Sequence, residues 1–161
     1  MIRFAKIRDV KTPTRGSALS AGIDFYVPND FGSKKIFPGE DILIPSGIIV
    51  EIPEHTAFIG IDKSGIASSK EAKERCGLAE KNLSMASSII VGAKLIDADY
   101  HGEVHIHLIN VGKVPIFISA GMKVAQFVLV PVFFDSMQEV MREDLHILST
   151  ERMGGFGSTG K

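Results

Sequence analysis

The stretch Glu103-Val104-His105-Ile106-His107-Leu108-Ile109-Asn110 decides the fold class. Apolar Val104, Ile106 and Leu108 alternate with polar Glu103, His105 and His107. A period of two sends successive side chains to opposite faces of a strand, so one face is buried and the other wet. Outward in both directions the chain returns to short runs rich in Ile, Val and Phe, at 2–7, 22–27, 41–45, 47–52, 57–61, 114–118 and 123–134. Gly, Pro, Asn or Asp separates them. Many short strands with frequent turn signals predict an all-β fold, a jelly roll or distorted β-barrel. Helical and strand periods do not alternate along the chain, which sets a doubly wound α/β sheet aside.

One segment breaks the strand rhythm. Residues 68–85, SSKEAKERCGLAEKNLSM, hold helix formers, many charges and no β-branched residue. Glu71 precedes Arg75 by four positions, a spacing that supports an exposed helix, and Gly77 interrupts it. The segment reads as a charged insertion at about 68–88. A chain of 161 residues with 45% apolar and 23% charged residues is expected to form one soluble domain. A net charge of −1 argues against electrostatically driven nucleic-acid binding. The lone Cys76 forms neither an intramolecular disulfide nor a cysteine-based zinc site. With no long apolar run and no secretory signal in view, the expected location is the cytoplasm, or the host cytoplasm for a viral gene.

Several segments carry chemistry. In Leu95-Ile96-Asp97-Ala98-Asp99-Tyr100-His101-Gly102-Glu103, two carboxylates stand two residues apart at the end of an apolar run, before a turn glycine and another strand. The pattern reads as a β-hairpin. Two acids so close take different environments, one free to act as a base and the other tied into the turn; in isolation the same pattern is an acidic turn. Asp62-Lys63-Ser64-Gly65-Ile66-Ala67 offers a cation, a hydroxyl and a glycine, the parts of an anion-binding corner or of a surface turn. Gln126, in Lys123-Val124-Ala125-Gln126, is a polar residue entering an apolar strand, a placement that a ligand would explain. Asp24, in Ala21-Gly22-Ile23-Asp24-Phe25, stands equally at an acidic corner or a strand start. The last ten residues are Arg152-Met153-Gly154-Gly155-Phe156-Gly157-Ser158-Thr159-Gly160-Lys161. Such a tail has too little apolar area to pack a core. Its glycines let backbone N–H groups approach phosphate oxygens, its hydroxyls donate, Arg152 offers a planar fork, and Phe156 can stack on a flat ring. Lacking a strand before and a helix after, it is not a P-loop. Its plainer reading is a disordered terminus. His101, His105 and His107 read as turn and strand residues, and no cluster has metal-ligand spacing.

Taken in order, these five segments resemble the trimeric deoxyuridine triphosphatases, the dUTPases. Residues 21–25 correspond to the first family motif, 63–67 to the second, 92–102 to the third, 123–126 to the fourth and 152–160 to the fifth. The strand segment 107–113 also corresponds, and the resemblance covers residues 2–160. It implies a jelly-roll homotrimer with shared active sites that hydrolyses dUTP to dUMP and pyrophosphate. That activity keeps uracil out of DNA and supplies dUMP for dTMP synthesis. By the resemblance, Asp97 activates the water that attacks the α-phosphorus, with Gln126 and Ser64 as the other catalytic groups. Lys63, Ser64 and Gly65 hold the phosphates. Lys94, Leu95 and Ile96 read the uracil edge through their backbone, and Tyr100 lies under the deoxyribose, leaving no room for a 2′-hydroxyl. Arg152, Ser158 and Thr159 close over the β and γ phosphates, with Phe156 stacked on uracil beside Gly157. Asp24 and Asp99 organise rather than react. The implied cofactor is Mg²⁺, held by the triphosphate and waters without protein ligands. Residues 1–151 are then the barrel, and 152–161 a flexible arm that closes over the site.

The chain departs from the family pattern at Lys63, where arginine is usual, and at Lys94, where glycine is usual. Its fifth motif is slightly short, and the span from Ser64 to Asp97 is long because of the insertion. Such an insertion points to a phage or viral member, or to an arm for a protein partner. Two other readings stand beside this one: a dCTP deaminase-like enzyme of the same fold, and a regulatory protein on the dUTPase scaffold. A deaminase has no use for Gly154-Gly155-Phe156-Gly157-Ser158-Thr159-Gly160, which favours the dUTPase.

Overall fold

The computed structural model describes residues 1–62 and 89–145. The charged segment at 68–88 and the second and fifth motifs lie outside them. The described chain is all-β, with eleven strands and a short 3₁₀ turn at Arg142–Asp144. In order the strands are β1 (Arg3–Lys6), β2 (Thr14–Arg15), β3 (Ile23–Tyr26), β4 (Lys34–Ile36), β5 (Asp41–Glu51), β6 (Thr56–Ile61), β7 (Ile89–Val91), β8 (Leu95–Ile96), β9 (Glu103–Asn110), β10 (Ile116–Ile118) and β11 (Lys123–Pro131). They form a four-stranded sheet β1-β5-β9-β7, a five-stranded sheet β2-β3-β11-β6-β8 and the pair β10-β4. No helix among the described residues is long and apolar enough to cross a membrane.

The alternating stretch is strand β9, with the bounds its period gave. Val104, Ile106, Leu108 and Asn110 are buried, while the residues between them are more open. The two runs at 41–45 and 47–52 join into one strand, β5, which pairs β9 from Asp41↔Ile109 to Pro45↔His105 and resumes at Ile49↔Glu103. The shift between Pro45 and Ile49 is pinned by Glu103, whose carboxylate accepts the Gly47 N–H at 2.7 Å and Arg8 Nε at 3.2 Å. The core draws on both larger sheets, with Phe25, Phe58, Phe127, Ile44, Ile106 and Leu108 at most 2% exposed.

The expected hairpin at 95–103 takes another form. β8 pairs β6, through Phe58↔Ile96 and Ile59↔Leu95. β9 lies in the other large sheet, with β5 on one edge and β7 on the other. β7 pairs β9 only through Leu108, Ile109 and Asn110, and the chain has already turned to β6 at Lys94–Ile96. Residues 97–102 therefore carry the chain from one sheet to the other.

Asn110 ties β9 to the small sheet. Its side chain is fully buried; Nδ2 donates to the carbonyls of Ile36 and Val114 at 3.0 and 2.9 Å, and Oδ1 accepts the Gly112 N–H at 3.0 Å. Buried polar groups left without partners are costly, so Asn110→Ala should destabilise the fold by about 2–4 kcal/mol. Thermal denaturation should show a Tm lower by on the order of 5–15 °C. An unchanged Tm would mean that water replaces all three bonds.

Candidate active site

Two groups of polar residues emerge from the strands, one on the five-stranded sheet and one on the 97–102 connection. On the sheet, β11 sets Gln126 opposite Asp24 of β3 and opposite Ile61 of β6, so the three share a rung. Phe25 and Phe127, the next residues along, turn to the other face by the strand period and enter the core.

Asp24 is only 4% exposed, and Lys123 Nζ donates to its Oδ2 at 2.8 Å. A buried carboxylate needs such a partner. The hydrogen bond and charge of Asp24 hold the Lys123 ammonium above the ordinary lysine range, against a lowering by desolvation. A raised lysine stabilises the fold below its unfolded value and loses that contribution as pH rises through the folded one. The pair is therefore intact at neutral pH. Asp24 thus holds Lys123 in place on the sheet.

Gln126 is half-buried and reaches across the rung, Nε2 donating to the Asp62 carbonyl at 3.1 Å. A Cβ on Gly22 would lie 2.4 Å from Gln126 Oε1, so only glycine leaves the amide its place. Asp62 in turn accepts the Val91 N–H on Oδ1 at 2.6 Å. One residue thus joins the end of β6 to β7 and to Gln126. The sequence marked Asp62 only as the first letter of an anion-binding corner. Its partners lie 29 and 64 positions away, and no local pattern announces them.

The second group surrounds Asp97. The Gly60 N–H donates to the Lys94 carbonyl at 2.8 Å, which extends the β6–β8 ladder and holds Lys94, Leu95 and Ile96 in line. Ile96 is buried and Leu95 is 62% exposed. The turn begins with the Tyr100 N–H on the Asp97 carbonyl at 3.2 Å. The Tyr100 hydroxyl donates to the Glu103 carbonyl at 2.9 Å. A Cβ on Gly102 would lie 2.4 Å from that hydroxyl oxygen, so the ring folds over bare backbone. Asp97 and Asp99 are both exposed.

A pocket of about 180 Å³ opens here, lined by Lys94, Leu95, Asp97, Tyr100, His105 and Phe127 among others. Whole ligand pockets run to roughly 300–1,000 Å³, so this one accepts a single ring rather than a nucleotide. A second cavity of about 470 Å³, between His55, Phe134 and Asp99, also has Asp97 in its wall. Asp97 thus lines both cavities. The structure brings Asp24, Lys123, Gln126 and Asp62 together, and separately Lys94, Leu95, Ile96, Asp97 and Tyr100. The amide of Gln126 bonds Asp62, and the ring-sized pocket beside Asp97 is lined without it. Lys63, Ser64, Gly65, Arg152, Phe156, Gly157, Ser158 and Thr159 lie outside the described residues.

Comparison with known proteins gives one answer. The dUTPase family model matches residues 75–160. The chain is 36% identical over 162 residues to the human mitochondrial deoxyuridine 5'-triphosphate nucleotidohydrolase, a match covering 99% of this chain and 55% of that longer protein. It is 35% identical over 162 residues to the Rhizobium rhizogenes protein of the same name, spanning 92% of it, and 36% identical over 155 residues to that of Clostridium tetani, spanning 91%. Among solved structures, the Staphylococcus bacteriophage 80alpha dUTPase with dUpNHpp superposes with a TM-score of 0.76 at 20% identity, over 100% of this chain and 99% of that one. The dUTPase of phage phi11, described with a structural Mg(II) ion, gives 0.67 over 87% and 96%. The fold is theirs, and identity of this extent along nearly the whole sequence means that the chain belongs to the dUTPase family.

Proposed function

We propose that this chain, a dUTP diphosphatase by family, hydrolyses dUTP to dUMP and pyrophosphate with Asp97 as the base that activates water. The observation that carries the reading is the position of Asp97, exposed on the wall of a ring-sized pocket beside the Lys94–Ile96 backbone and Tyr100. The ring fits a pyrimidine. The water oxygen attacks the α-phosphorus, and its proton passes to the Asp97 carboxylate. The bond from the α-phosphorus to the α–β bridging oxygen breaks, and that oxygen leaves with pyrophosphate. Tyr100, held by its own hydroxyl on the Glu103 carbonyl, presents a fixed ring edge where a ribose 2′-hydroxyl would crowd it. Gln126 positions water or phosphate from the Asp24–Lys123 side. Lys63, Ser64 and Gly65 belong to the phosphate grip in this reading. Arg152, Phe156, Gly157, Ser158 and Thr159 form the cover.

Magnesium fits this donor set as a passenger of the substrate. No three His, Cys, Asp or Glu side chains among the described residues gather as a metal site. Mg²⁺ commonly takes one or two carboxylates at most and completes its shell with phosphate oxygens and water. When bound, it neutralises charge on the triphosphate. The protein's own part is to hold the base, the sugar and the phosphates in line.

The same geometry supports a shared site. Gln126 and Asp97 stand in separate clusters of one chain, which supports a homotrimer in which Asp97 of one subunit serves the sheet cluster of another and the tail of a third. The site would then form only on assembly. The solved phage relatives include dUTPases described as controlling transfer of virulence genes. A second, protein-binding role through the 68–88 insertion is the regulatory counterpart of that description. Asp62 and Val91, which flank residues 63–88 in sequence, are hydrogen-bonded to each other, which supports reading the insertion as an excursion from the barrel.

Pyrophosphate release from dUTP, dCTP, dTTP and UTP tests the activity. Turnover should be confined to dUTP, and comparable turnover of UTP would remove the role given to Tyr100. Asp97→Asn should leave Tm and nucleotide binding near those of the unsubstituted protein and lower kcat by roughly 10²–10⁴, the worth of a positioned base. Retention of full turnover would assign the base elsewhere.

Sharing of the site is tested by mixing. One chain carries Asp97→Asn and the other stops before Arg152; each alone should be nearly inactive. In a mixed trimer, cyclic symmetry gives about one site in three an intact Asp97 from a truncated chain and an intact tail from a substituted one. Co-expression should therefore recover activity on the order of a third per mixed trimer. Purified mixed trimers without recovery would place the tail over its own subunit's Asp97.

A further inference from the structure

We propose that His107 is a positioning residue for the base-reading segment, and that protonating it loosens this segment and weakens dUTP binding. The inference rests on dUTP being the substrate. His107 lies on β9, away from the pocket lining, yet it holds the backbone that leads into Lys94, Leu95 and Ile96 at two points. Its carbonyl accepts the Gly92 N–H at 2.9 Å, and its Nδ1 faces the Ala93 N–H at 3.2 Å. A Cβ on Gly92 would lie 2.1 Å from Nδ1, so the ring sits directly against this backbone. The far side of the segment is held by the Gly60 N–H on the Lys94 carbonyl.

The partners fix the tautomer. An amide N–H only donates, so Nδ1 accepts and carries no proton. The ring proton is then on Nε2, which points to Asp41 Oδ2 at 2.9 Å. A second proton can enter only at Nδ1, between the ring and the Ala93 N–H, where it turns an acceptor into a donor facing a donor. The cation still favours Asp41, so the ring stays and the contact with Ala93 is lost. Asp41 is the charged group that the ring touches from β5. His105, two residues back on β9, turns Nδ1 to the Glu103 carbonyl at 2.9 Å. β7 brings Ile89, Ile90 and Val91, none of which titrates, and Lys94 beyond the held segment is exposed. Histidine is the side chain whose charge ordinarily changes between about pH 5 and 8.

The test follows KM and kcat for dUTP, with magnesium, between about pH 5.5 and 8 in the full chain, in His107→Asn and in Asp41→Asn. Asparagine keeps an acceptor near the Nδ1 position and does not titrate. Comparing proteins on one substrate cancels the titration of the substrate's own terminal phosphate. As pH falls, KM of the unsubstituted chain should rise roughly three- to tenfold relative to His107→Asn, the worth of one neutral hydrogen bond, while the kcat ratio stays level. Asp41→Asn keeps an acceptor for the Nε2 proton, so the neutral ring should stay seated against Ala93 and the rise should persist. The Ala93 amide, followed by NMR without nucleotide, should shift with the same midpoint and hold still in His107→Asn. A titrating amide in a protein that turns over no dUTP would leave the His107 device standing and overturn the substrate. KM ratios that stay level with pH, or an Ala93 amide that does not titrate, would overturn the proposal itself.

Discussion

The packing of three phenylalanines underlies everything else in the five-stranded sheet. Phe25 of β3, Phe127 of β11 and Phe58 of β6 meet with ring centroids 4.7, 5.0 and 6.0 Å apart. Each is at most 2% exposed, and burying a phenylalanine contributes roughly 1.5–3 kcal/mol. Phe127 stands opposite Gly60, where an added Cβ would approach its ring to 3.1 Å. Gly60 leaves the ring its room at that rung. A one-residue slip of β11 would turn Phe127 to solvent and bring Gln126 to the core face. The apolar side of the sheet thus dictates the polar side. Gln126 meets Asp24 because Phe127 and Phe25 have already been placed.

The same logic explains why the active groups are held rather than merely present. Gln126 has its amide on the Asp62 carbonyl, Tyr100 has its hydroxyl on the Glu103 carbonyl, and Asp24 has Lys123. Each of these side chains is held by a partner distant in sequence or across a turn. Side chains tied in this way lose little entropy on meeting a ligand, so binding energy goes into the transition state instead. Asp97 and Asp99 differ, since they stand exposed at the crossing between sheets.

Much of this was legible before any coordinates. The period of two at 103–110 yielded β9 with its bounds, and the runs at 2–7, 22–27, 57–61, 114–118 and 123–134 contain β1, β3, β6, β10 and β11 to within a few residues at their ends. Strands β2, β4 and β7, of two or three residues each, are too short to show a period. The runs at 41–45 and 47–52 looked separate because Pro45-Ser46-Gly47 reads as a turn. Glu103, on the neighbouring strand, instead makes it a bulge in one strand. The hairpin expected at 95–103 failed for a topological reason. β8 is close to β9 in sequence, but it pairs β6 in the other large sheet, and the choice of partner is a property of the whole fold. For the site, the order of the five segments carried the family, and the family then distributed the roles. The supporting contacts of Asp62 and His107 were not legible, because each depends on a backbone amide or carbonyl brought near by the fold.

The exposure of Asp97 is consistent with the role proposed for it rather than opposed to it. A carboxylate that activates water has to be reachable by water before the nucleotide arrives. The same carboxylate has to be enclosed afterwards, because preorganised charge acts strongly only where bulk solvent is excluded. A rigid strand cannot meet both demands, since a residue fixed in a closed pocket stays closed. This chain puts Asp97 on a connection between two sheets, with its backbone tied into the turn and its side chain exposed. What encloses it must then arrive with or after the substrate.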